Sequence, residues 1–129
     1  MSFVDKVAEN KRVAEMCMKT GAYNAGASRA YYSAFLHIKS FLEGKKFNYA
    51  NFIKQKRPKD RLYSHGTIQH AVICYLKANG KKDVDVCKLN CIDSMYKKRR
   101  KADYEEKLIN KQELEVSLKD LDTVLSIVV

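Results

Sequence analysis

Residues 22–43 read AYNAGASRAYYSAFLHIKSFLE. Within them Tyr31, Phe35, Ile38 and Leu42 recur at i, i+4, i+7 and i+11, the repeat that stacks side chains on one face of an α-helix. Ala25, Tyr32 and Leu36 widen that face. A helix with so broad an apolar surface belongs at the centre of a helical assembly. Gly44 stops it.

The same period extends outward on both sides. A helix from about Ser2 to Lys19 precedes it, with Ser2 as N-cap, Gly21 just beyond the end, and Phe3, Val7, Ala14 and Cys17 on one face. Further on, Ser64 caps a helix over about 65–78, whose Ile68, Val72 and Leu76 face inward and which Asn79-Gly80 terminates. A fourth helix begins near Asp83. Along it Leu89, Ile92, Tyr96, Arg99 and Asp103 share one face, which passes from apolar to ionic. The last helix, about 111–127, aligns Leu114, Leu118, Leu121, Leu125 and Val128, with Glu113, Glu115, Asp120 and Asp122 outside. Nothing alternates with period two for long enough to predict a strand. The expected fold is all-α: an up-down bundle of four to five helices forming a single domain over residues 1–129.

Residues 45–63 break the pattern. Lys45, Lys46, Lys54, Lys56, Arg57, Lys59 and Arg61 are interleaved with Phe47, Tyr49, Phe52 and Tyr63, and Asn51 to Gln55 allow a helical turn before Pro58. Basic groups with stacking rings suit single-stranded RNA. The same residues equally describe a segment anchored by its aromatics, with solvated lysines outside.

The chain carries 25 Lys+Arg against 15 Asp+Glu, a formal net charge of +10, which fits a polyanionic partner and equally a lysine-rich surface that serves solubility. No window approaches the ~18 apolar residues of a membrane span, so no membrane is expected among the partners. The polar start Met1-Ser-Phe-Val-Asp-Lys is unlike a signal peptide, so a cytoplasmic setting with reduced cysteines is expected. Cys87 and Cys91 stand i,i+4 but lack a second ligand pair, and His65 and His70 stand at i,i+5. Cys17, Cys74, Cys87 and Cys91 therefore read as small buried hydrophobes, with neither metal nor cofactor expected.

The densest charge run is Lys97-Lys98-Arg99-Arg100-Lys101. Five helical residues step about 100° each, so one must turn toward the core side, and the periodicity selects Arg99. Asp103 lies i+4 from it, an ion pair that by itself contributes only ~0.2–0.5 kcal/mol. Arg29 is expected on the inner side of the second helix beside Tyr32. Two inward arginines with Tyr32 and Tyr104 would make an anion pocket between helices.

Three segments, Ser28-Arg29-Ala30-Tyr31-Tyr32-Ser33-Ala34-Phe35, Ser64-His65-Gly66 and Arg99-Arg100-Lys101-Ala102-Asp103-Tyr104, together resemble the small stand-alone HEPN domains (higher eukaryotes and prokaryotes nucleotide-binding). The resemblance implies a four- to five-helix bundle that forms a homodimer, pairing the late-helix motifs across a groove. Many such domains are metal-independent endoribonucleases with an Arg-x(4–6)-His motif, several of them toxins beside a nucleotidyltransferase-type antitoxin. Others bind nucleotides or act as non-catalytic partners. On this chain it implies Arg99 at the scissile phosphate, with Arg29, Tyr32 and Arg100 as phosphate or nucleotide contacts. The proton-moving candidates are Asp103, Tyr104 and His65, because Tyr104 stands where the motif carries histidine. A phenol of pKa ~10 is a poor base at neutral pH. Asp103 serves only if Arg99 leaves it free, and His65 only if its helix starts where the fourth helix ends. Three functions are consistent with this pattern. One is an RNA-cleaving toxin. Another is a non-catalytic module binding RNA, a nucleotide or a nucleotidyltransferase-type partner. The last is a dimer whose basic surface meets an acidic protein.

Overall fold

The computed structural model describes residues 2–56 and 64–129. Helices α1 (Phe3–Thr20), α2 (Tyr23–Gly44), α3 (Tyr49–Lys56), α4 (His65–Ala78), α5 (Asp83–Cys87), α6 (Cys91–Tyr104) and α7 (Lys111–Ile127) follow in order, with a 3-10 turn at Lys88–Asn90. Among the described residues there is no strand, and no helix is long and apolar enough to cross a membrane. The ends form where the sequence puts its caps. Ser2 with Asp5, and Asn110 with Glu113, close reciprocal capping boxes, and the Ser64 hydroxyl accepts from the Thr67 N–H. Gly21 ends α1 in the left-handed region at φ 82°, where a side chain would be strained.

Helix α2 is the hub, packed by α1, α4, α6 and α7. Tyr31, Ile38 and Leu42 are buried in the core as the period predicts, and Phe35 is half-buried. The expected widening through Ala25, Tyr32 and Leu36 is not where the burial extends: Ala25 and Tyr32 are exposed and Leu36 only half-buried. Burial extends instead through Gly26, Ala27, Ala30, Ser33 and Ala34. Small side chains let neighbouring helices close on the α2 backbone. A Cβ at Gly26 would stand 2.6 Å from Cδ2 of Leu114 on α7 and 3.0 Å from Cβ of Cys17 on α1.

The directions of the helices explain the site. Ser33 bonds the Val7 carbonyl and Arg29 bonds Asn10, so α1 runs antiparallel to α2. By contrast Tyr31 meets His65 and Phe41 meets Tyr75, so α4 runs parallel to α2. The expected up-down alternation therefore does not hold between these two long helices. A crossover between α2 and α4 is required, and α3 lies within it. Tyr49 and Phe52 of α3 are buried, and Phe47 packs edge-on to Tyr75, while Lys45, Lys46 and Lys54 are exposed. The described aromatics thus anchor the crossover to the core. Arg57, Pro58, Lys59, Arg61, Tyr63 and the side chain of Lys56, counted in the basic segment, lie outside the described residues.

The single helix expected from Asp83 is divided. Val86, Leu89 and Ile92 are spaced by three and all buried. A 3-10 turn has three residues per turn, so it brings them into line where an α-helix would fan them apart. The cysteines also depart from expectation, since only Cys17 is buried while Cys74 and Cys87 are exposed. On α7, Glu113 is not an outer-face residue: it caps the helix and holds Lys101 of α6 at 3.0 and 3.1 Å.

Candidate functional site

Helix α6 lies antiparallel to α2, so two residue pairs meet one turn apart. Nη2 of Arg99 donates to the Tyr32 hydroxyl at 2.7 Å, and the Ser28 hydroxyl lies 2.9 Å from each Asp103 oxygen. Arg99 and Asp103 are also joined, Nε to Oδ2, at 3.2 Å. The ion pair expected within α6 is therefore one side of a four-residue junction between helices. The guanidinium lies over the rings of Tyr32 and Tyr104, 5.2 and 5.6 Å from their centroids, and that of Arg100 lies 4.8 Å from the Tyr104 ring. Burial works against the Arg99 charge, but Tyr32, Tyr104 and Asp103 outweigh it and raise its pKa. Arg99 is a permanent cation with its side chain only 17 % exposed.

His65 opens α4, and the parallel course of that helix brings it to the same place. Its ring stacks on Tyr96 at 4.0 Å, Nδ1 lies 3.0 Å from the Tyr31 hydroxyl, and Nε2 lies 3.7 Å from Asp93 Oδ1. Asp93 is shared with Lys97 at 3.1 Å. Burial lowers the His65 pKa below the usual histidine value, with Asp93 opposing it, so the imidazole is neutral at pH 7. Burial, with Tyr96, raises the Tyr31 pKa well above the usual phenol range, so that hydroxyl keeps its proton. A protonated phenol beside a neutral imidazole donates to Nδ1, which leaves the ring proton on Nε2, facing Asp93.

Tyr31, Tyr32, Phe35, His65, Tyr96 and Arg99 line a hollow of about 200 Å³. Arg99 and His65, far apart in sequence, thus share one cavity. Tyr32 is the other expected residue that lines it, whereas Arg29, Arg100, Asp103 and Tyr104 fall outside. Arg29 is exposed and donates to Asn10 Oδ1 at 3.2 Å, because its position on α2 faces α1 rather than α6; the expected pair of inward arginines does not form. Tyr104 is 64 % exposed and Arg100 exposed, and neither lines the hollow, although the Tyr104 ring touches both guanidinium groups. Asp103 is engaged by Ser28 and Arg99. Sequence reading passed over Tyr31, Phe35 and Tyr96 as core and did not single out Asp93. The available signal was spacing, since Asp93 and Tyr96 precede Arg99 by six and three residues on one helix.

Two larger hollows, of about 330 and 250 Å³, gather less chemistry. One lies between the α1–α2 turn and Leu108-Ile109, and the other beside the Lys11–Asp122 ion pair. His37 bonds the Val128 carbonyl at 2.6 Å, a structural tie between α2 and the C-terminal end of α7. Among the described residues no three His, Cys, Asp or Glu side chains converge to hold a metal. No family model, curated protein or solved structure matches the chain.

Proposed function

We propose that this chain is a HEPN-like helical bundle of four to five main helices whose Arg99 cavity takes the phosphate of an RNA strand or a nucleotide. The observation that carries the reading is the state of Arg99. It is cationic, mostly buried and aimed into an aromatic hollow, and among the described residues only one of its five N–H donors makes a well-aligned hydrogen bond. Arg100 and Tyr104, next to Arg99 on α6, add an exposed cation and an exposed ring outside the hollow. The net charge of +10 favours approach of a polyanion.

Binding without cleavage is the favoured form. Asp103 is committed to Ser28 and Arg99, His65 accepts from Tyr31 while its other nitrogen faces Asp93, and Tyr104 stands outside the hollow. One observation favours a metal-independent endoribonuclease, as in a toxin, instead: His65 and Arg99 line the same cavity and the imidazole is neutral at pH 7. A neutral imidazole that turned from Tyr31 could accept the ribose 2′-hydroxyl proton while Arg99 held the phosphate. The HEPN resemblance also proposes a homodimer and a nucleotidyltransferase-type protein partner.

The test is oligoribonucleotide binding and cleavage in excess EDTA, comparing wild type with Arg99→Ala at matched folded fraction. Binding is expected to weaken roughly tenfold or more in the variant, with intact RNA in both. Metal-independent cutting lost in the variant would replace the binding module with a nuclease. RNA neither bound nor cut by wild type, with no mononucleotide bound either, would overturn both forms.

A further inference from the structure

The cavity holds two nitrogen centres of unlike character. Arg99 is charged at every physiological pH, whereas His65 is neutral at pH 7 yet surrounded by groups that could support a charge. From α6, Asp93 lies 3.7 Å from Nε2, with Lys97 on its far side, and Tyr96 offers its ring face at 4.0 Å. From α2, the Tyr31 hydroxyl lies 3.0 Å from Nδ1. On α4 itself, Gln69 supports the charged form and His70 opposes it. Arg99 stands across the hollow.

We propose that His65 is a titratable second cation of this anion pocket, so that a phosphodiester bound beside Arg99 draws a proton onto the imidazole and is held more tightly as pH falls below neutral. The inference rests on the phosphate-binding reading of the Arg99 cavity. Its geometry costs no hydrogen bond. The Tyr31 hydroxyl, which donates to neutral Nδ1, can accept from Nδ1–H once the ring is charged. Asp93 then faces an imidazolium, whose ring lies against the face of Tyr96 as a cation–π pair. Burial is what keeps the ring neutral in the unliganded protein, and an anion in a hollow of about 200 Å³ supplies the opposite charge that burial withholds. The proton comes from solvent, and affinity and protonation are linked reciprocally.

The test uses 2′-O-methyl oligouridylate, whose phosphodiesters and bases do not titrate near neutral pH and which cannot be cut at the 2′ position. Its Kd is measured by calorimetry at pH 5.5 and 7.5 in matched ionic strength. Wild type is expected to bind roughly three- to tenfold more tightly at the lower pH. His65→Gln is expected to reduce that ratio to about one, and His70→Gln, which removes a group opposing the imidazolium from outside the cavity, to keep or enlarge it. Because His65→Gln could disturb α4, the His65 ring protons of wild type are also titrated by NMR, where added oligouridylate should raise the pKa. Equal affinity at both pH values with an unmoved pKa overturns this inference while leaving phosphate binding standing. A pH ratio retained in a folded His65→Gln protein also overturns it. Absence of binding at either pH overturns the phosphate reading, and this inference with it.

Discussion

The Tyr32 hydroxyl lies 2.7 Å from Nη2 of Arg99 and orients the guanidinium from α2 while its stem rises from α6. Removing that oxygen leaves the arginine in place but less constrained. Tyr32→Phe is expected to weaken oligoribonucleotide binding only a few-fold. Arg99→Lys, which keeps the charge but loses the planar fork, should weaken it more. Parallel binding isotherms rank the two, and a larger loss for Tyr32→Phe would mean the phenol, not the guanidinium, makes the main contact.

Ser28 contacts both oxygens of Asp103 at 2.9 Å and so fixes the carboxylate that pairs with Arg99. Ser28→Ala removes a partly exposed hydrogen bond to a charged group. It should cost about 1–2 kcal/mol of unfolding free energy. Urea denaturation with an unchanged slope checks this, and no loss would show that water replaces the serine at no cost.

Part of the candidate site was legible in sequence, one helix at a time. Arg99 was placed inward correctly because α6 is regular there and its period is readable from Ile92 through Asp103. Arg29 was misplaced because several faces of α2 are covered, and a period alone does not say which neighbour covers which. The meeting of His65 with Arg99 depended on the crossover through α3. Its residues carry no long period, and the direction in which they return α4 is a tertiary fact. Gly26, Ala27, Ala30 and Ala34 escaped notice for a related reason: apolar periodicity weighs bulk, while close helix packing rewards its absence.

Gly26 gives that last point a sign. In an exposed helix, Gly→Ala stabilises by roughly 0.5–1 kcal/mol. Here the added Cβ would meet Leu114 at 2.6 Å and the Cβ of Cys17 at 3.0 Å. Leu114 is fully buried, and Cys17 Cβ is fixed to the α1 backbone, so neither can yield without repacking. Gly26→Ala is expected to be net destabilising by about 1–3 kcal/mol. A raised melting temperature would refute the close approach of α1 and α7 to α2.

Cys91 offers a check on the α6–α7 contact. Burial, with Asp120 beside it, pushes its thiol up to about 11, and Sγ lies 3.8 Å from the Asp120 carbonyl oxygen. Thiolate is the reactive form, so at pH 8 Cys91 should alkylate at least roughly tenfold more slowly than exposed Cys74 and Cys87. Mass-spectrometric mapping after brief iodoacetamide treatment decides it. Equal rates would mean that α7 does not cover Cys91.

The free protein should also lose stability on mild acidification, for a reason opposite in sign to its proposed gain in affinity. His65 has a folded pKa below its unfolded value of ~6.5, because burial penalises the charged ring. As pH falls through that value, unfolded chains take up the proton first and the equilibrium shifts toward them. The loss is complete once pH is below the folded pKa. Asp93, whose folded pKa is lowered by Lys97, acts in a separate window below its unfolded value of ~3.9. Wild type should therefore unfold at a lower urea concentration at pH 5.5 than at 7.5, and His65→Gln should abolish that difference. Saturating 2′-O-methyl oligouridylate should narrow it in wild type, because the bound anion favours the charged imidazole that burial disfavours. A midpoint that rises on acidification would show that Asp93 dominates burial, and that the His65 ring is already charged near neutral pH.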